Sequence, residues 1–250
     1  MSVTGERDDK PGGGPQKVGV PIVDLTTGVY AALGIVAALL RRSQTGQGEY
    51  IDVAMLDVQV GLLANQAMNF LLGGRVPRRT GTAHPNIQPQ RTFACADGDI
   101  VIVVGNDAQF ATLCEALGQP SLARDPRYVS NSQRVKNLDT LDPLLDAIFI
   151  REPRAHWLDL LKRAGVPAGS INTVPEVFDD PQVQHRGMLR RLPHPVAGEV
   201  PQVMNPLRFG QSSLRVDRAP ALLGQHTDEV LAELGLSAAQ IQDYRDRKII

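Results

Sequence analysis

Several features that would each announce a class are scarce in this chain. Its 250 residues hold only two cysteines, Cys95 and Cys114. That is too few for a disulfide framework and points to a reducing compartment. Aromatic residues make up 4 %, and 26 lysines and arginines nearly cancel 27 aspartates and glutamates. With no basic excess and no aromatic–arginine stripe, no nucleic-acid partner is expected. Long hydrophobic runs are missing too. The longest uncharged apolar stretch, Gly28–Leu40, falls short of the roughly 20 residues that span a bilayer. The first ten residues contain no apolar h-region, so neither a signal peptide nor a membrane partner is expected. His156, His185, His194 and His226 show no metal-ligand spacing, so no metal is expected. The expectation is a cytoplasmic, soluble protein. A hydrophobic content of 42 % over this length suffices for one large or two ordinary domains.

Along the chain, residues 1–17 are polar and rich in Gly and Pro and read as a surface loop. Gly12-Gly13-Gly14 is no phosphate cradle, because no strand precedes it and no helix N-terminus follows closely. Val18–Val23 reads as a short buried strand, and from Thr26 the sequence turns helical. That helix is apolar on every side through Leu40, a pattern that belongs inside a core. Arg41 and Arg42 follow, where cations suit the end of a helix. Glu49–Met55 alternates like a strand, and Leu56–Leu72 is helical up to Gly73-Gly74. Strand, helix, strand, helix is the pattern of an α/β layer.

After a Pro/Gly connector over 74–90, Asp97-Gly98 between apolar runs predicts a hairpin. Asn106 predicts the cap of a helix running to Gly118. Further helices are expected over 133–150 and 153–164, the latter opened by Pro153 and closed by Gly165. The stretch 188–209 reads as irregular or extended, and two short helices end the chain, the last opened by Ser237 and Gln240. The domains implied are residues 1–75 and 191–250 in one body, with a smaller α+β domain at 76–190.

One acid stands out. Asp24 lies where the apolar segment meets the helix, and residues alone favour a cap or dipole partner there. The same place suits a carboxylate nucleophile, because the helix start favours the anion and the anion is the attacking form. Met55 reads as core filling, His84 as a solvated loop histidine, and Arg78-Arg79 as a solvated connector rather than a phosphate site. Cys95 and Cys114 read as core.

The blocks Val18-Gly19-Val20-Pro21-Ile22-Val23-Asp24-Leu25-Thr26-Thr27-Gly28 and Arg42-Ser43-Gln44-Thr45-Gly46-Gln47-Gly48, followed by Asp52-Val53, closely resemble the core signature of family III CoA-transferases. The likeness continues through Asp97-Gly98, Gly105-Asn106-Asp107, Asp125-Pro126-Arg127, Asn131 with Arg134, Gly165–Gly169, Asp180-Pro181-Gln182 and Leu223–Leu231. It implies an α/β fold: part of the family's large CoA-binding domain with the smaller α+β domain inserted. It also implies Asp24 as nucleophile on an acyl-CoA, with Met55 against the CoA. No cofactor would be tightly bound, since the coenzyme A thioester is itself a substrate.

Gly81–Gln88 aligns with an active-site loop that is glycine-rich in formyl-CoA:oxalate enzymes. Lacking those glycines, the chain looks more like members that handle succinyl-CoA and dicarboxylates such as glutarate, with His84 as a substrate-loop contact. Met1–Gly5 aligns with the middle of a family block, so the resemblance implies that an N-terminal Rossmann-like half-domain is absent. The partners implied are acyl-CoA, a carboxylic acid, and either a second copy (the family's interlocked homodimer) or a separately supplied half. Two alternatives stay open: an α-methylacyl-CoA racemase-like enzyme using an Asp/His pair, and a non-catalytic remnant or subunit.

Overall fold

The computed structural model describes residues 2–212, 214, 216 and 218–250. It mixes helices and short antiparallel sheets, as the sequence leads one to expect, and divides into two compact units, Met1–Ile171 and Asn172–Ile250.

The first unit begins with a long helix, α1 (Ile22–Thr45), then α2 (Met55–Gly61) and α3 (Ala64–Leu71). Strands β1 (Gln90–Cys95) and β2 (Gly98–Val103) follow, and then α4 (Asp107–Ala116), α5 (Asn131–Lys136), α6 (Leu138–Phe149), α7 (Arg154–Ala164) and β3 (Ala168–Ser170). β1, β2 and β3 form one antiparallel sheet in that order, with Cys95 opposite Gly98 and Ile100 opposite Ser170. Gly98 takes a positive φ of 144°, so Asp97-Gly98 turns the hairpin as its sequence predicts. Asn106 caps α4 by accepting from the Gln109 N–H, and α7 ends on Gly165 in the left-handed conformation.

This sheet is packed by α4, α6 and α7 around one core. Phe93, Ile100, Ile102, Leu113, Leu145, Phe149 and Leu161 are essentially inaccessible to solvent, and Cys95 and Cys114 lie among them. Phe149 meets Phe93 at 4.7 Å and Trp157 at 5.0 Å, and the Trp157 indole N–H donates to the Phe149 carbonyl at 2.8 Å.

In the second unit, α8 (Val174–Asp179) opens with a capping box at Thr173 and is followed by α9 (Pro181–His185). β4 (Leu189–His194) and β5 (Gly198–Val203) pair as a hairpin inside the stretch read as irregular or extended. The chain ends in α10 (Thr227–Glu233) and α11 (Ala238–Asp246), the last with the expected capping box at Ser237.

Five expectations are corrected. Val18–Val23 is not a strand: α1 starts at Ile22 and no described residue pairs with this segment. Glu49–Met55 is not a strand either, and Met55 opens α2. The helix expected over 133–150 breaks at Asn137 into α5 and α6, and that over 56–72 breaks at Leu62-Leu63.

The fifth concerns α1, which has no buried residue instead of sitting in a core. Ile22, Leu25, Val29, Tyr30, Leu33, Ile35, Val36, Leu39 and Leu40 are all exposed. Together they forgo on the order of 10 kcal/mol of burial, comparable with a whole domain's net stability. At 24 residues, α1 is also long and apolar enough to cross a bilayer by length and composition, which the shorter run Gly28–Leu40 did not suggest.

Two outcomes follow. In urea denaturation read by circular dichroism, Leu145→Ala should cost about 2–5 kcal/mol, whereas Leu33→Ala and Val36→Ala should stay within about 0.5 kcal/mol. Equal costs at both places would mean that α1 is covered in solution. For Cys114, burial pushes the thiol up to about 12, with Arg134 a smaller opposing influence. The unfolded thiol ionises at about 8.5, so the stabilising contribution is present below that pH and is lost as pH rises towards 12. Stability should therefore fall less steeply above pH 9 in Cys114→Ala, and Ellman's reagent should reach Cys114 only after unfolding.

Candidate functional site

Asp24 is the third residue of α1, inside its first turn rather than ahead of it. The turn at Pro21 starts the helix: Ile22 N–H donates to Val20 O, and Leu25 N–H to Pro21 O at 3.1 Å. The Thr26 and Thr27 hydroxyls fold back onto the Ile22 and Val23 carbonyls at 2.6 and 2.7 Å. No side chain caps this end. The Asp24 carboxylate is exposed, and none of the described residues hydrogen-bonds or ion-pairs with it. Asp24 is therefore not the cap of α1, while its place in the first turn keeps it a partner of the helix dipole. What remains is an unengaged carboxylate near the positive end of a helix dipole.

Met55 is the first residue of α2, which packs against α1, and its side chain is about half exposed at 49 %. His84 sits in the connector between α3 and β1, half-buried. Its Nδ1 accepts from Asn86 N–H at 3.1 Å, its backbone N–H donates to Gln90 O at 2.8 Å, and its backbone carbonyl accepts from Gln88 Nε2 at 2.6 Å.

His84 lines a cleft of about 990 Å³. One wall is the connector with Arg78, Arg79 and Thr80, and the others are residues 6–11 and the acidic side of α6. Neither Asp24 nor Met55 borders this cleft. Its charges are largely paired. Arg7 holds Asp9 at 2.8 Å and Asp139 at 2.9 Å, Arg79 meets Asp8, and Arg91 spans Asp142 at 3.0 Å and Asp146 at 2.6 Å. The two carboxylates hold the Arg7 proton more firmly than usual. Burial raises the Asp142 carboxyl above its ordinary value despite the opposing Arg91. The Arg79 Nε is buried without a hydrogen-bond partner among the described residues. Arg79 with Asp8, and Gly81 N–H donating to Gly5 O at 3.0 Å, strap residues 5–8 to the connector, while Arg7 ties the same segment to α6 through Asp139.

A second group beside the cleft escaped sequence reasoning. Arg134 is fully buried and donates to the Gln88 and Tyr128 carbonyls and to Asp107. Asn131 bonds to residues 86 and 88. Both are motif positions, but nothing in their spacing says what they hold.

CoA-transferase family III matches residues 1–227. The chain belongs to this family. The family III chain is 42 % identical over 234 residues to a succinate–glutarate CoA-transferase from Agrobacterium fabrum, covering 94 % of the chain and 58 % of that relative. It is 38 % identical to a human succinyl-CoA:glutarate CoA-transferase, covering 94 % and 52 %. An acetyl-CoA:oxalate CoA-transferase from Acetobacter aceti is 41 % identical over 180 residues, 72 % of the chain and 46 % of the relative. Among solved structures, a CaiB/BaiF family protein from Brucella suis superposes with a TM-score of 0.74 at 43 % identity, over 94 % of this chain and 60 % of that one. The chain thus spans about half the length of the curated relatives it matches.

Exposed ion pairs contribute at most about 1 kcal/mol each, so the strap should matter locally rather than globally. Arg7→Ala should leave the unfolding midpoint nearly unchanged while speeding tryptic cleavage after Lys17. Unchanged cleavage would show that the Arg7 pairs do not hold the segment.

Proposed function

We propose that this chain carries the acyl-CoA:carboxylate CoA-transfer chemistry of its family, on a dicarboxylate such as succinate or glutarate, with Asp24 as nucleophile. The observation that carries the reading is the unengaged Asp24 carboxylate in the first turn of α1. The names of the relatives at 38–42 % identity support the substrate class.

In this mechanism the Asp24 carboxylate attacks the thioester carbon of the donor. The C–S bond breaks, CoA leaves as thiolate, and an aspartyl–acyl anhydride forms. The thiolate attacks the Asp24 carbonyl carbon, releasing the donor acid as its carboxylate and leaving an aspartyl-CoA thioester. The acceptor carboxylate attacks that thioester, expelling the thiolate again. The thiolate then attacks the acceptor's carbonyl in the new anhydride, giving product acyl-CoA and free Asp24. Every attacking group is already an anion, so the scheme asks for no separate base. Met55 is assigned to the CoA and His84 to the dicarboxylate. On the same reading, residues 1–75 with 191–250 and residues 76–190 are the large and small domains of a cytoplasmic protein.

The bare apolar surface of α1 favours a partner-dependent form of this reading. Turnover would require a second polypeptide over α1, either a second copy in a homodimer or a companion chain.

Intact-protein mass spectrometry after incubation with succinyl-CoA and hydroxylamine tests the chemistry. Hydroxylamine converts either acyl intermediate at Asp24 to a hydroxamate. The expected result is one adduct on the wild-type chain, mapped to Asp24 and absent in Asp24→Ala. An adduct persisting in that variant would remove Asp24 from the mechanism.

A further inference from the structure

Resting on the reading of His84 as the dicarboxylate contact, we propose that Arg134, Asn131 and Gln88 form a positioning device that fixes the His84 loop and presents the imidazole as an N–H donor. Arg134 has no solvent exposure, and a buried guanidinium must satisfy its donors within the protein. It does so with Nε to the Gln88 carbonyl at 2.7 Å, Nη1 to the Tyr128 carbonyl at 2.9 Å and Nη2 to Asp107 Oδ1 at 2.7 Å, stacked 4.4 Å over the Phe110 ring. Asp107 Oδ1 also accepts the Asn131 N–H at 2.8 Å. One carboxylate at the start of α4 therefore holds both the buried cation and the first residue of α5.

The Asn131 side chain reads two points of the loop at once. Its Oδ1 accepts the Gln88 N–H at 3.0 Å, and its Nδ2 donates to the Asn86 carbonyl at 2.8 Å. Gln88, itself 1 % exposed, spends its amide on the His84 carbonyl and the Gln90 N–H. The loop's other side is tied to α3, with Asn86 Nδ2 donating to Asn69 Oδ1 at 3.1 Å. The bonds from α5 to the loop join residues 43 to 46 apart in sequence, so the loop's shape depends on α5 as well as on its own turns.

The consequence for His84 is chemical. Asn86 N–H donates to Nδ1, which makes Nδ1 the acceptor and assigns the neutral ring's proton to Nε2. A ring in this tautomer offers Nε2–H to an acceptor-only carboxylate. The other tautomer would set N–H against N–H at Asn86.

The device is read in the full chain by two-bond 1H–15N spectra of its histidines, with His84→Gln assigning the His84 signals and glutarate as the titrant. The wild type should show the Nε2–H tautomer, with signals that move on adding glutarate. Asn131→Ala should broaden or double these signals and weaken the glutarate response about tenfold. Asn131→Asp, which keeps the bond to Gln88 N–H and loses the one to Asn86 O, should fall between them. Should Asn131→Ala destabilise the fold, Arg134→Lys provides the second probe, since it keeps the charge and loses the fork. His84 signals and glutarate response unchanged in both folded variants would overturn the proposal. If His84 shifts in the variants but never responds to glutarate in the wild type, the positioning device stands and the carboxylate reading falls.

Discussion

The first unit is organised around a charge with no access to water. A guanidinium taken out of solvent is tolerated only where oxygen atoms meet its planar fork on every side, because an uncompensated buried charge costs several kcal/mol. Here those oxygens come from three places: the connector before β1, the segment ahead of α5, and the first residue of α4. The requirement to satisfy Arg134 therefore fixes where three separate pieces of chain meet. Phe110 completes the cage from inside the core, so the polar network and the apolar packing share one wall.

The same unit holds two regimes of packing. Around β1–β3 the side chains close on one another and leave aromatic rings and thiols dry. Over α1 to α3 apolar side chains lie open, and α1 retains no buried position. Intrinsic propensity and hydrogen bonding suffice to describe a long helix, but they do not give it a reason to stay out of an apolar environment. Sequence likeness to family III over 94 % of the chain, together with this open surface, supports a reading in which the site around Asp24 is completed by other polypeptide.

Much of the local structure was legible where one residue type has one strong use. Asp97-Gly98 makes its turn, Asn106 and Ser237 cap their helices, and Gly165 ends α7 in the conformation that suits glycine. The misreadings share a cause. Val18–Val23 has the β-branched composition of a strand, but a strand exists only against a neighbour, and Pro21 instead sits at the start of a helix. The all-apolar character of α1 was read as burial, whereas composition states a demand for cover and not that the cover lies within this chain. The break at Asn137 escaped because its side chain closes onto Arg127 O and Gln133 O, bonds that spacing does not reveal. Of the candidate site, Asp24 was visible as an acid beside a helix start and gained meaning from the motif around it. The cage of Arg134 was not visible, since its contacts depend on tertiary distance.

The placement of Trp157 divides what light can report about this molecule. It is the chain's single tryptophan, wedged against Phe149 with its N–H spent on a carbonyl. Its emission thus belongs to the β1–β3 core alone. Loss or docking of α1 would pass unseen in intrinsic fluorescence excited at the indole band, while far-ultraviolet ellipticity, which weighs the 24 residues of α1 heavily, would register it. Two optical melts of one sample are then melts of two different parts of the chain, and the gap between them measures how independently those parts unfold.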